Sequence, residues 1–185
     1  MRSFIAIELP AAIQDQLGGL CGRLRASSPK ASWVRGENMH VTLRFLGEVT
    51  EEDLARLSAM LSPAYQACEG VTLRVCGIGA FPNLRRPSVV WAGLEIVQGA
   101  IEPLHAQAEQ AARMLGLPPE TKRFHPHVTL ARLRDPRGAD ALTAELNACQ
   151  SFHAGEFRAE SVSLFSSELR RGGAVYRRLE EFFFS

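Results

Sequence analysis

The tetrapeptide His-Val-Thr-Leu occurs twice, at His40 to Leu43 and at His127 to Leu130, in a chain with five histidines and six threonines. Side chains on a strand alternate between faces, so residues i and i+2 point the same way. A strand through either copy sets an imidazole beside a hydroxyl and turns Val and Leu to the opposite face. On that anchoring face fall Met39, Val41, Leu43 and Phe45 in the first copy, and Phe124, Val128 and Leu130 in the second. Two such strands facing one cleft would bring together two imidazoles and two hydroxyls. That set suits phosphoryl chemistry. One imidazole takes a proton from an attacking water while the other gives one to the leaving oxygen. Thr42 and Thr129 would donate hydrogen bonds to the non-bridging phosphate oxygens, where charge gathers. No carboxylate lies within either motif, so the chemistry demands no metal and no cofactor. A lone His-x-Thr more often marks only a half-exposed strand face; duplication with the same apolar partners carries the reading.

The elements that must position these residues can be traced along the chain. "RSFIAIEL" reads as a strand, and Pro10 opens a helix through about Ala26, with Ile13, Leu17, Leu20 and Leu24 at helical spacing. "SSPKASW" breaks it. "NMHVTLRFLGEV" is β-patterned, and a helix follows over 50–68, with Thr50 and Asp53 suited to its cap and first turn. "VTLRVCGIGAF" and "VVWAGLEI" read as a hairpin joined by "PNLRRPS". A third helix over 99–115, the strand "FHPHVTLARL" and a short helix "ADALTAELNAC" come next. The chain closes with a strand "FRAESVSLFSSEL", the turn "RRGG" and a strand "AVYRRLEEFFF".

Each HVTL strand is followed by a helix and a strand pair, and the two histidines stand 87 residues apart. This predicts an α+β fold. Two pseudo-symmetric lobes of mainly antiparallel sheet would carry their helices outside and their His-x-Thr motifs toward a central cleft. Residues 1–185 would form a single two-lobed domain. A doubly wound parallel sheet fits less well, because two segments read as hairpins.

Composition narrows the function classes. At 46% hydrophobic and 22% charged residues the chain is an ordinary globular one. A net charge of +1 leaves no global field for a polyanion, so any nucleic-acid site needs local clustering of Arg and Lys. Cys21, Cys68, Cys76 and Cys149 lack C-x-x-C spacing and read as reduced thiols. Neither the start of the chain nor "SVVWAGLEIV" is long enough for a signal or a span. The expectation is a cytoplasmic, monomeric protein that meets no membrane.

On these motifs the sequence resembles the two-histidine phosphoesterase superfamily, and within it the bacterial and archaeal RNA 2′,3′-cyclic phosphodiesterases, also called 2′-5′ RNA ligases. The likeness covers nearly the whole chain. "RSFIAIELP" is similar to that family's opening strand, "WVRGENMHVTLRFLGEV" and "FHPHVTLAR" to its two motif regions, and "SLFSSELRRGGAVYRRL" to its closing hairpin. Gly36 stands where the family often has Pro. The resemblance implies hydrolysis of an RNA terminal 2′,3′-cyclic phosphate to a 2′-phosphomonoester, with reversible 2′-5′ ligation as an accompanying activity. It implies His40 as proton donor and His127 as proton acceptor. The residues themselves leave open which is acid and which is base.

Further residues are candidates for substrate contacts. His125 lies two residues before His127, hence on its face if the strand is regular. Arg132 has the opposite parity, and reaches the cleft only if a bulge turns it. Phe4 and Trp33 are candidates to stack on a nucleobase. Arg35, Arg44, Lys122 and Arg123 flank the motifs and could supply a local positive field. His105 and His153 read as ordinary surface histidines. Three other readings compete: zinc held by the His125-Pro126-His127 pair; a histidine-triad nucleotide hydrolase, which needs a further His where Thr129 stands; and a non-catalytic RNA-binding module, which would explain the basic flanks but not the repeated His-x-Thr.

Overall fold

Strands β3 (His40–Glu48) and β6 (His127–Arg132) lie side by side at the centre of a nine-stranded sheet, joined through one residue pair, Val41 opposite Val128. The computed structural model describes residues 1–28, 30–137, 139–171 and 173–185. Pro29 of the helix-breaking segment and Gly172 of the "RRGG" turn lie outside the described residues. On one side of the central pair stand β1 (Arg2–Glu8), β8 (Ser161–Arg170) and β9 (Gly173–Phe183). On the other stand β5 (Val89–Gln98), β4 (Val71–Phe81) and β7 (His153–Ala159), while the short β2 (Ser32–Trp33) pairs with β6. Every pairing among the described residues is antiparallel. The α+β fold with two pseudo-symmetric lobes is as expected.

The helices show how the lobes are joined. Helices α1 (Ala11–Leu24) and α4 (Asp140–Ala148) cover the lobe of β4 and β7. Helices α2 (Glu51–Gln66) and α3 (Glu102–Met114) cover the lobe of β3 and β9. The repeated unit is therefore β1-α1-β3-α2 and β5-α3-β6-α4, in which α1 and α3 each leave one lobe to pack on the other. Ile13, Leu17, Leu20 and Leu24 are buried along α1, as their spacing predicts. Thr50 and Asp53 close a reciprocal capping box at the start of α2. All four cysteines are free, and no helix among the described residues is long and apolar enough to cross a membrane.

Two differences from the sequence reading have clear causes. The segment read as one strand over 157–169 is two, β7 and β8, which pair in different lobes. Its apolar period slips where Ala159 is followed by Val162, and the chain changes lobes at Glu160. The second difference concerns Phe45, assigned above to the anchoring face but 51% exposed. Ile5 pairs with Arg44 and Ala6 with Thr42, so Leu43 is an extra residue. Such a bulge buries two consecutive residues and reverses the parity beyond them. The same happens in the second copy: Val90 pairs with Ala131 and Trp91 with Thr129, so Leu130 is extra and Arg132 is turned outward.

The first bulge sends Arg44 to the helix side of the sheet, where it is 6% exposed. Its Nε lies 2.9 Å from Glu109 Oε2 of α3, a charge contact not aligned as a hydrogen bond. Its Nη1 donates to Glu120 at 2.6 Å, and Nη2 donates to the Pro118 carbonyl. One guanidinium thus ties the strand of the first motif to the loop that leads into the second. Replacing Arg44 by Met should lower unfolding free energy by about 2–3 kcal/mol, because Glu109 Oε2 loses its buried cation while Oε1 keeps Arg113 and the Glu120 N–H. Thr50→Ala, which loses only an exposed cap, should cost ~1 kcal/mol. Urea unfolding of both variants checks this ranking; equal losses would refute a structural role for the Arg44 pair.

Candidate active site

His40 and His127 hold the first positions of their strands, and each ring is fixed by the backbone just before it. Nδ1 of His40 lies 2.7 Å from the Asn38 carbonyl oxygen, and Nδ1 of His127 lies 2.6 Å from that of His125. A carbonyl only accepts, so Nδ1 carries the proton in both rings and Nε2 is left as the working nitrogen. The loop of the first motif is itself tied down, since Asn38 Nδ2 donates to the Ala174 carbonyl of β9 at 2.8 Å. Thr42 and Thr129 follow on the same face, half-buried. Neither hydroxyl has a hydrogen-bond partner among the described residues.

Aromatic rings hold the two imidazoles from behind and from the side. Phe4 stacks on His40 with centroids 4.7 Å apart, and Phe165 stacks on Phe4 at 5.2 Å. Tyr176 meets His40 edge-on at 5.4 Å. In the other lobe Phe81 meets His127 edge-on at 5.1 Å, and Trp91 leans on His125 at 4.9 Å. Trp91 lies flat against β4 because its cross-strand neighbour is Gly79, where a Cβ would fall 2.2 Å from the indole.

This packing makes both imidazoles poor proton carriers in the free protein. Burial pushes His40 down to about 4; the bond to Asn38 and the nearby Glu8 carboxylate oppose this, while the charges of His127 and Arg132 add to it. His127 is lowered from the same cause, burial, against the pull of its bond to His125 and with the charges of His125 and Arg132. Glu8 is the cross-strand partner of His40 and accepts from Ser163 at 2.6 Å and from Arg178 at 3.0 Å.

The remaining candidates divide. Arg132 comes to the face of the imidazoles: the bulge before it restores its parity, and its charge bears on His40, His127 and Tyr176 alike. His125 is exposed and packs over Phe81 and Trp91, but it precedes β6 instead of lying in it. Phe4 requires correction. At 2% exposure, packed against His40, Phe165 and Tyr176, it supports the imidazole and offers no face to a nucleobase. Trp33 is half-buried against the core, and its indole N–H donates to the Ser28 carbonyl at 3.0 Å; it contacts neither imidazole. Arg44 is also corrected: paired with Glu109 and Glu120 on the helix side, it cannot supply a positive field to the cleft. Lys122 and Arg123 are exposed in the loop before β6. His105 is no plain surface histidine, since it stacks on Phe124 at 4.1 Å.

Residue types alone did not reveal Asn38, Glu8, Phe81, Trp91, Phe165 and Tyr176. Asn38 and His125 stand at the same offset before the two histidines, so their carbonyls were discoverable from the repeat. Phe165 and Tyr176 were not, because strand pairing alone brings β8 beside β1 and β9 beside β8. Among the described residues there is no group of three or more His, Cys, Asp or Glu disposed to hold a metal ion.

Comparison with known proteins agrees with this geometry. Residues 7–91 and 94–176 match the family model of LigT-like phosphoesterases. An RNA 2′,3′-cyclic phosphodiesterase of Methanothermobacter thermautotrophicus is 30% identical over 182 residues, covering 98% of both chains. One of Aeropyrum pernix is 36% identical over 148 residues, covering 80% of this chain and 83% of its own. A crystal structure from Thermus thermophilus superposes with a TM-score of 0.82 at 29% identity, covering 99% of this chain and 97% of that one. Escherichia coli LigT complexed with 3′-AMP gives 0.72 at 28% identity, over 100% and 98%. Two imidazoles presented by paired strands from a duplicated unit, and a family match spanning both copies, make this chain a member of the LigT-like phosphoesterase family.

Proposed function

We propose that the protein hydrolyses RNA terminal 2′,3′-cyclic phosphates to 2′-phosphomonoesters by metal-independent acid–base catalysis with His40 and His127. One observation carries the reading. Both imidazoles are held as Nδ1–H tautomers by carbonyls two residues earlier, which leaves Nε2 on each as the nitrogen that takes or gives a proton. In the proposed reaction His127 takes a proton from water as its oxygen attacks phosphorus. The P–O3′ bond breaks, and His40 delivers its proton to O3′. Thr42, Thr129 and Arg132 balance the charge on the non-bridging oxygens. The donor and acceptor roles are carried over from the family resemblance. The names of the relatives support an RNA end as substrate, and 5′-hydroxyl RNA in place of water would give 2′-5′ ligation at the same site. The protein acts as a monomeric two-lobed domain in this proposal, because one chain supplies both histidines.

The lowered imidazole values make the role of the substrate specific. His40 must be protonated to act as an acid, yet burial in the cleft holds it at about 4. A bound phosphodiester anion favours the imidazolium and raises that value.

Incubation of adenosine 2′,3′-cyclic phosphate in excess chelator should yield adenosine 2′-phosphate. Activity abolished by chelator and restored by zinc would refute the metal-free mechanism and favour the His125–His127 zinc reading. Thr42→Val and Thr129→Val should each slow turnover by roughly tenfold to a thousandfold while the fold persists. Full turnover in both would show that the hydroxyls do not hold phosphate. An activated aryl phosphodiester, whose leaving oxygen needs little protonation, should rescue His40→Ala but not His127→Ala; the opposite pattern exchanges the roles.

The pH profile has a definite sign. Rate rises with pH as the base loses its proton and falls as the acid loses its own, so kcat/KM is bell-shaped with limbs that belong to the pair. Both imidazoles in the free protein lie below the ordinary 6.5, which displaces that bell to the acid side of 6.5. The kcat profile, reporting the phosphate-bound protein, should lie at higher pH. A kcat/KM optimum above neutrality would contradict the burial-lowered values.

A further inference from the structure

A cavity of about 590 Å³ opens beside His127 in the lobe of β4, β5 and β7. It falls within the ~300–1,000 Å³ range of small-molecule sites. Its walls include Trp91, His125 and Phe152, three rings with stacking faces. The first two also contact His127, with His125 at 6.0 Å and Trp91 at 6.2 Å between centroids. None of the rings around His40, namely Phe4, Phe165 and Tyr176, lines it. The cavity therefore adjoins one imidazole and not the other.

Its charge pattern indicates what it accepts. Arg74, its one Arg or Lys, is engaged by Glu95 at 3.0 Å and by Glu156 at 2.5 Å. With that cation paired to two carboxylates, the cavity has no free Arg or Lys to hold a phosphate. It does offer hydrogen bonds to a neutral heterocycle. Gln150 spends its Nε2 on the carbonyls of Ile78 and Leu146, at 2.9 and 2.8 Å, which orients the amide and leaves its Oε1 to accept. Trp91 Nε1 is itself buried, so the indole presents its ring and not its N–H to the cavity. Flat rings, an oriented amide acceptor and no unpaired Arg or Lys fit a nucleoside base better than a nucleotide phosphate.

We propose that this cavity is an acceptor subsite for a nucleoside whose 5′-hydroxyl replaces water as the nucleophile. The inference rests on the proposed reaction with His127 as base, since an in-line attack must enter on the side of the base. The 5′-hydroxyl oxygen bonds to phosphorus as its proton passes to His127. The P–O3′ bond breaks and O3′ takes the proton of His40, leaving a 2′-5′ phosphodiester and a free 3′-hydroxyl. No other reactant enters.

Uridine is a suitable probe, and Ser151, exposed at the mouth of the cavity, can be enlarged to close it. Titration of uridine into the protein should shift the Trp91 indole N–H resonance saturably, with Trp33→Phe used to assign it. Ser151→Phe should abolish that shift. With adenosine 2′,3′-cyclic phosphate as donor, uridine should yield a 2′-5′-linked dinucleoside monophosphate. Ser151→Phe should cut that product at least about tenfold, the scale of losing one base-stacking site. Hydrolysis of the same donor should stay within about twofold, because water needs no such subsite. The subsite is refuted if no saturable Trp91 shift occurs, or if Ser151→Phe transfers to uridine as well as wild type. A Trp91 shift removed by Ser151→Phe, in a protein that never hydrolyses the donor, would uphold the nucleoside site and overturn the proposed reaction instead.

Discussion

The arrangement of the site depends on one rung of backbone pairing, Val41 opposite Val128, where the two half-sheets meet. Among the described residues all other strand pairings of the sheet lie within a lobe. This rung alone sets the two tetrapeptides in register, so it decides how far apart the two imidazoles stand. Both valines are fully buried, which secures the rung by apolar packing where the ladder is short. A slip of one residue would turn either imidazole into the core.

A single rung would be weak if the lobes were otherwise independent. They are not, because α1 and α3 each begin after a strand of one lobe and pack against the other. Neither lobe can bury its apolar face without a helix from the opposite half of the chain. Arg44 strengthens this across the same boundary, since its buried guanidinium holds the loop that delivers His125 and His127. Precision at the cleft comes from these supports behind the sheet as much as from the motifs in front of it.

Rigid placement has an electrostatic consequence. The rings that immobilise His40 also exclude water from it, and exclusion of water favours the neutral imidazole. Each Nδ1–carbonyl bond recovers part of that loss and selects the tautomer. The free protein is thus preorganised but uncharged at its histidines, with Arg132 as the standing positive group near both. In the proposed reaction an anionic substrate would supply the field that the imidazoles need to hold a proton, so that charge in this site would follow occupancy.

By itself the sequence determined the pair of strands, the face each imidazole and hydroxyl would share, the four helices and the duplication that relates them. These follow from local rules: period two in strands, period 3.6 in helices, and caps such as Thr50 with Asp53. Chain order also conveyed that Arg132 would need a bulge to reach the cleft. Tertiary structure decided the rest. It placed Phe45 outward and Arg44 inward, because the bulge arises from the pairing of β3 with β1 and is not written in β3. It assigned Phe4 to the back of His40 instead of to a ligand, and it brought Tyr176, Phe81 and Trp91 to the imidazoles from strands far away in sequence. A period can say which face a residue takes, but what stands opposite that face depends on strand order and sheet curvature, which no local pattern encodes.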